Sequence, residues 1–370
     1  GERIGGVSPP ARAPSLQGIA VHDYRGSYVA PGLIDIHLHG AMGKDVMDGS
    51  VDSLREIALH QARCGVTGFV PTTLAAPLSS MKNAMDGVRA ALRAGLTCEI
   101  LAVNLEAPFL SSKKKGAQNP AYIRPIDREA VEEVLNSCLG LKALITIAPE
   151  VGDNMGFIGA FKENGCVVSI GHSDASYEQA MRSFEQGITH ATHLYNAMSG
   201  FLPREPGVIG AVLDSDGVTA ELIADGIHVH PAALRLAVRQ KGVDRICLIT
   251  DSINASGLGD GDFQVGGLDV VVKNGQARLR DGGALAGSVL TLNRAVGNIM
   301  DWTGISVDQA VRMASLTPAR VLGLEREMGS IEAGKLANLA VFDRDFNAVH
   351  TIVRGRKIWR HPLGCPLSSP

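Results

Sequence analysis

Two of the chain's 11 histidines, His37 and His39, sit two residues apart in the run GLIDIHLHG (residues 32–40). Alternate side chains of a β-strand share a face, so both imidazoles point the same way, as two ligands of one metal ion must. A bare HxH more often marks hydrogen-bonded core histidines, so the motif counts only in company. That company is Glu106 in NLEAPF, His172 in VSIGHSDAS and His193 in THATHLYNAM, each following a short apolar run. A carboxylate there is expensive to bury unless it meets a cation or a donor. One Glu with two His leaves a coordination position open for water, the arrangement of a catalytic metal site. His190 lies three residues before His193, so strand alternation sets them on opposite faces; His193 is taken as the inward one because LYNAM follows it directly. Asp251, in CLITDSINASG, has the position of a general base that takes a proton from an attacking water and delivers it to a leaving amine. Glu150, ending ITIAPE, is a further strand-end carboxylate to which the sequence assigns no role.

Side chains from five separate runs meet only if the fold brings the run ends together. Eight short apolar runs, from YVAPGLIDIHLHG to RICLITDS, alternate with stretches such as SVDSLREIALHQARCG and SMKNAMDGVRAALRAG. Apolar residues recur there at three- and four-residue spacings before a closing Gly, as in amphipathic helices. The alternation predicts an α/β fold, a closed (β/α)8 TIM barrel over residues 31–324. An open doubly wound sheet lacks support because no GxGxxG turn follows the first run. The polar residues also gather at the C-terminal ends of the runs, where barrel active sites are built. Residues 1–30 and 325–370 are turn-rich and short-stranded, and are expected to pair as one small β domain. The segment DFQVGGLDVVVKNGQARLRDGGALAGS reads as a hairpin over 262–280 with KNGQ at its turn, an excursion from the barrel.

Composition narrows the partners. With 35 basic against 38 acidic residues and 4% aromatics, neither a nucleic acid nor a membrane surface is expected. No apolar run approaches the roughly 18 residues of a membrane span, and no basic-then-apolar leader is present, so a cytoplasmic location is expected. Cys64, Cys98, Cys138, Cys166, Cys247 and Cys365 are scattered without a CxxC and read as buried thiols of a reducing compartment.

The stretches PGLIDIHLHG, LEAPF, KKGAQNP, GHSDASYEQA, THLYNAM, REPGVIGAVLD, ADGIHVHP, TDSI, LAGSVLT and GSIEAGKLANLAVFD resemble the amidohydrolase superfamily. More specifically they are similar to the N-acetylglucosamine-6-phosphate deacetylase family, from about residue 30 to residue 358. The resemblance implies hydrolysis of an N-acetyl amino-sugar phosphate to glucosamine 6-phosphate and acetate. It implies that Glu106, His172 and His193 hold the principal divalent ion, zinc first, with iron, manganese or cobalt as alternatives. His37 and His39 would hold a second, weaker ion with Glu106 bridging, giving one or two per subunit, and Asp251 would be the acid/base. Asn196 and Ala197 would contact the sugar, and Ala117 would lie beside it. Arg204 and His228 would bind phosphate across a homodimer interface, and Ala286, Gly287 and Ser288 would let backbone approach the substrate.

Two motifs depart from the family. Asn104-Leu105-Glu106-Ala107-Pro108 stands where His-Leu-Glu-Gly-Pro is usual, and Lys115-Gly116-Ala117-Gln118 where Lys-Gly-Ala-His is. That His is expected to touch the acetamido group; Gln118 still donates a hydrogen bond but carries no proton or charge. The departures keep open a different N-acyl substrate, such as N-acetylgalactosamine 6-phosphate, and, from another class, a barrel that binds a sugar phosphate without turning it over.

Overall fold

The computed structural model describes residues 1–9, 18 and 20–361, so Cys365 lies outside the described residues. Each of the eight apolar runs becomes a barrel strand. They are β2 (Leu33–Leu38), β3 (Val66–Thr73), β4 (Val103–Leu105), β5 (Ala143–Ile147), β6 (Val167–Ile170), β7 (His190–Ala191), β8 (Thr219–Ile223) and β9 (Ile246–Ile249). They pair in parallel, each with the next, so the sheet order follows the chain. Burial on both faces explains the near-continuous apolar runs: every residue of β2, β3 and β5 is buried.

The barrel closes where β2 meets the segment after β9. Asp251 N–H donates to His37 O at 2.9 Å and His39 N–H to Ser252 O at 2.8 Å. Below them the wholly buried Asp35 accepts from Thr250 Oγ1 at 2.7 Å. The candidate ligands of the first and last strands therefore lie on the closing seam itself.

Helices pack outside on their apolar stripes. In α1 (Val51–Arg63) the Ser50 side chain accepts from Ser53 N–H, satisfying one of the helix's free donors, and Leu54, Ile57, Ala58 and Ala62 are buried. A four-stranded antiparallel sheet joins the two chain ends, in the order β1 (Tyr28–Pro31), β13 (Leu339–Phe342), β14 (Ala348–Val353) and β15 (Arg356–Arg360). An isolated bridge between Arg3 and Leu336 adds the extreme head to the tail. This sheet packs close to the end of α1: a Cβ on Gly65 (φ +80°) would lie 2.5 Å from the Phe342 ring. Only glycine serves both the turn and the approach.

The excursion after β9 has one strand more than the hairpin expected over 262–280. The Gly266-Gly267 turn adds a first strand, giving β10 (Gly261–Val265), β11 (Leu268–Lys273) and β12 (Gln276–Leu279), with Asn274-Gly275 at the second turn. No helix among the described residues is long and apolar enough to cross a membrane. The five described cysteines are unpaired. Burial pushes the Cys64 thiol up to about 12, away from nucleophilic chemistry.

His60 gives the fold a pH signature. It is buried in α1, with Nε2 3.3 Å from Ser256 Oγ, and burial, aided by the charge of Arg63, lowers its pKa to about 4. The unfolded chain binds this proton near the ordinary value of about 6.5. The stability contribution is thus complete above that value and is lost as pH falls toward 4. Denaturant titrations across that window should show the parent chain losing up to roughly 3 kcal/mol more than His60→Gln. Parallel stability curves would remove His60 from the account.

Candidate metal centre

The site is built from residues just past strand ends. Glu106 follows β4, and His172, His193 and Asp251 each lie two residues beyond β6, β7 and β9. The last three have left-handed backbone, with φ of +45°, +30° and +49°. Such conformations cost of order 1–3 kcal/mol each for a side-chain-bearing residue. The strain marks functional positions that no periodicity in the sequence reveals.

Glu106 Oε1 lies 3.0 Å from both His172 Nε2 and His193 Nε2, and those nitrogens are 3.1 Å apart. The triangle is close to the ~3.3 Å edge of a tetrahedron with ~2.0 Å arms, the geometry of a nitrogen- and oxygen-ligated zinc. Glu106 Oε2 faces His39 Nε2 at 3.2 Å, and Asp251 Oδ1 lies 3.2 Å from His39 Nε2 and 3.5 Å from His37 Nε2. Two groups result, Glu106/His172/His193 and His37/His39/Asp251, with Glu106 facing both. None of the six residues is more than 8% exposed.

The outer nitrogens indicate what the inner ones are for. His172 Nδ1 meets Lys114 O at 2.8 Å, His39 Nδ1 meets Thr72 O at 3.2 Å, and His37 Nδ1 meets Glu221 Oε2 at 2.9 Å. Those oxygens only accept, so Nδ1 donates in all three and Nε2 is turned to the centre. His37 Nε2 is buried with no hydrogen-bond partner. An orphaned imidazole nitrogen between two carboxylates fits a divalent cation.

Electrostatics agree. Burial opposes charge on His37 and His39, but Glu221, Glu106 and Asp251 push His37 well above its ordinary value, and Asp251 and Glu106 push His39 up to about 9. Burial likewise pushes the Glu106 and Asp251 carboxyls up, yet His37 and the neighbouring imidazoles hold both below the usual carboxylate range. The centre draws in positive charge, which a metal ion would supply.

A model of the amidohydrolase family matches residues 28–358. The N-acetylglucosamine-6-phosphate deacetylase of Vibrio furnissii is 40% identical over 89% of this chain and 82% of its own. The N-acetylgalactosamine-6-phosphate deacetylase of Escherichia coli O157:H7 is 35% identical over 91% and 89%. The crystal structure of the N-acetylglucosamine-6-phosphate deacetylase from Pasteurella multocida, 34% identical, superposes with a TM-score of 0.92 over 98% of this chain and 93% of that one. The chain belongs to the amidohydrolase family. Within it the chain falls in the N-acetylglucosamine-6-phosphate deacetylase branch, and it is a hydrolytic enzyme.

In this amidohydrolase a cavity of about 330 Å³ opens onto the centre. Ala117, Gln118, Asn196, Ala197, His228, Ala286 and Gly287 all line it, together with Lys113 and Lys114. Ser288 does not: it is buried behind the wall, its hydroxyl donating to Thr250 O at 2.5 Å. Arg204, expected to act across a subunit interface, is exposed on the 202–205 turn. His228 is steadied by Asp225, whose Oδ2 accepts from Nδ1 at 2.6 Å.

Gln118 is committed at both ends: Nε2 donates to Glu106 Oε2 at 2.6 Å while Oε1 accepts from Ala75 N–H at 2.7 Å. Glu150 accepts from Ser173 Oγ at 2.7 Å and Asp174 N–H at 2.6 Å, holding the loop that carries His172. His190 and His193 do not lie on opposite faces, because β7 ends at Ala191 and His193 sits in a left-handed turn beyond it. Both histidines point inward, and His190 Nε2 meets Glu221 Oε1 at 3.2 Å. Glu221 itself escaped the sequence reading.

Glu106→Gln should keep the fold and weaken zinc binding by more than the roughly 10–100-fold that an outer hydrogen-bond partner contributes. Metal content after dialysis against buffered zinc checks this. Undiminished zinc in the variant would mean that the convergence on Glu106 is not a metal centre.

Proposed function

We propose that this amidohydrolase removes the acetyl group from N-acetylglucosamine 6-phosphate, releasing acetate and glucosamine 6-phosphate. The observation that carries the reading is the meeting of two candidate ligand groups, one of which includes Asp251, at the floor of a cavity of about 330 Å³. That volume lies at the lower end of small-molecule sites, as a monosaccharide phosphate requires. The names of the relatives support the substrate class.

Glu106, His172 and His193 would hold the principal divalent ion, and His37, His39 and Asp251 a second, weaker one. The donor set suits zinc first, and iron, manganese or cobalt as well. When bound, the ion polarises the acetyl oxygen and makes the attacking water more acidic. Asp251 takes a proton from that water and passes it to the amine nitrogen as the C–N bond breaks, so the water's oxygen leaves in acetate. Asn196, Ala197, Ala286 and Gly287 fit around the sugar. His228, steadied by Asp225, and Arg204 from a second subunit would bind the phosphate, a guanidinium forking onto two of its oxygens. This requires a homodimer, and a small-molecule hydrolase with free, mostly buried thiols suits the cytoplasm.

A second reading keeps the chemistry and changes the acyl compound. Gln118 favours it: the amide that stands where the family has histidine spends a donor on Glu106 and its oxygen on Ala75. One Nε2 hydrogen remains for a substrate carbonyl.

A panel of N-acetylglucosamine and N-acetylgalactosamine, each with and without the 6-phosphate, separates the readings. We expect the phosphorylated glucosamine compound to have the highest kcat/KM, and Asp251→Asn to lower kcat roughly 10²–10⁴-fold with the principal metal retained. Equal turnover of free sugars would remove Arg204 and His228 from phosphate binding. No turnover of any acetyl sugar would refute the deacetylase reading.

A further inference from the structure

Glu221, at the centre of β8, is 1% exposed and faces into the barrel beneath the candidate ligands. A carboxylate so placed is tolerated only with full hydrogen bonding. It has three donors, one from β2 and two from β7 and the turn that follows it. His37 Nδ1–H and His193 backbone N–H converge on Oε2 at 2.9 and 3.0 Å, and His190 Nε2 meets Oε1 at 3.2 Å. His190 is held from behind by Thr219 Oγ1 at 2.6 Å.

One oxygen thus touches a member of each ligand group. Towards His37 it can only accept, so the ring proton stays on Nδ1. Nε2 is left facing Asp251 Oδ1 at 3.5 Å and Glu106 Oε1 at 3.6 Å, without a hydrogen-bond partner. Towards His193 the oxygen binds the backbone of a residue at φ +30°, whose turn brings Nε2 to within 3.0 Å of Glu106 Oε1. We propose that Glu221 is a positioning residue that couples the two ligand groups, fixing His37 as the Nδ1–H tautomer and pinning the strained backbone of His193. The proposal rests on the reading of these groups as a divalent-metal centre, and not on the identity of the substrate.

The test uses the full chain and zinc alone. Glu221→Gln keeps the size but replaces a charged acceptor by a neutral amide, whose oxygen holds His37 Nδ1–H and His193 N–H more weakly and whose NH2 group faces His190. We expect zinc affinity to fall 10–100-fold, and the visible spectrum of the cobalt-loaded variant to differ from that of the parent. Parent-like zinc affinity and cobalt spectrum in a folded Glu221→Gln overturn the proposal. Should the variant not fold, long-range proton–nitrogen spectra of histidine-labelled, zinc-loaded parent chain decide. A hydrogen-bonded Nδ1–H on His37 supports the proposal, and an Nε2–H tautomer overturns it. If zinc binds as described but no acetyl sugar is hydrolysed, the functional reading fails while Glu221 keeps its place.

Discussion

Glu106 is 2% exposed, and a carboxylate so deeply placed is stable only with donors or a cation at both of its oxygens. Oε1 meets His172 and His193, and Oε2 meets His39 and Gln118. Removing these partners would leave a buried charge whose desolvation costs several kcal/mol. The rest of the centre is arranged around this requirement. The outer partners Lys114 O, Thr72 O and Glu221 orient the rings of His172, His39 and His37, and His193 is held through its backbone N–H.

The loop at residues 111–118 binds this arrangement to the cavity wall. Ser111 N–H donates to His172 O at 2.9 Å, Lys114 O accepts from His172 Nδ1, and Gln118 reaches Glu106. Gly116, at φ +56°, lies where a Cβ would be 3.2 Å from His172 Cε1, so the loop passes close against the ring. The same loop carries Lys113 and Lys114 into the cavity, each 3.4 Å from Asp174. A histidine in place of Gln118 would meet Glu106 through one ring nitrogen. The amide instead spans from Ala75 to Glu106 and adds no charge to the centre.

The parts legible in the sequence were those set by local periodicity. Strand-to-helix alternation located all eight barrel strands, and HxH on a strand put His37 and His39 on one face, because each depends only on neighbours along the chain. Glu221 and Asp35 were missed because their partners come from distant strands: Glu221 serves His37, 184 residues away, and Asp35 meets Thr250, 215 away. A signal was present nonetheless, since each is a charged residue in the middle of an otherwise apolar run. Ser288 and Arg204 differ in kind. A motif fixes their place along the chain but not the surroundings of their side chains: the Ser288 hydroxyl is taken by Thr250 O, and Arg204 is exposed, where a second subunit would have to meet it.

The strained residues show why a closed barrel suits this centre. Three left-handed side-chain-bearing residues, each costing about 1–3 kcal/mol, persist only where surrounding bonds over-determine the backbone. That holds at every one. His172 O is bound by Ser111, and the next residue's N–H donates to Ala197 O at 3.1 Å; His193 N–H is bound by Glu221. Asp251 N–H donates to His37 O, and its own carbonyl accepts from Ser288 N–H at 2.8 Å. The last pair lies on the seam between the first and eighth strands, so the bonds that close the barrel also set the spacing of His37 and Asp251. An open sheet would leave these two at opposite edges, with Asp251 able to relax out of its left-handed backbone. Closure ties them into one unit, so one ligand cannot shift without opening the seam.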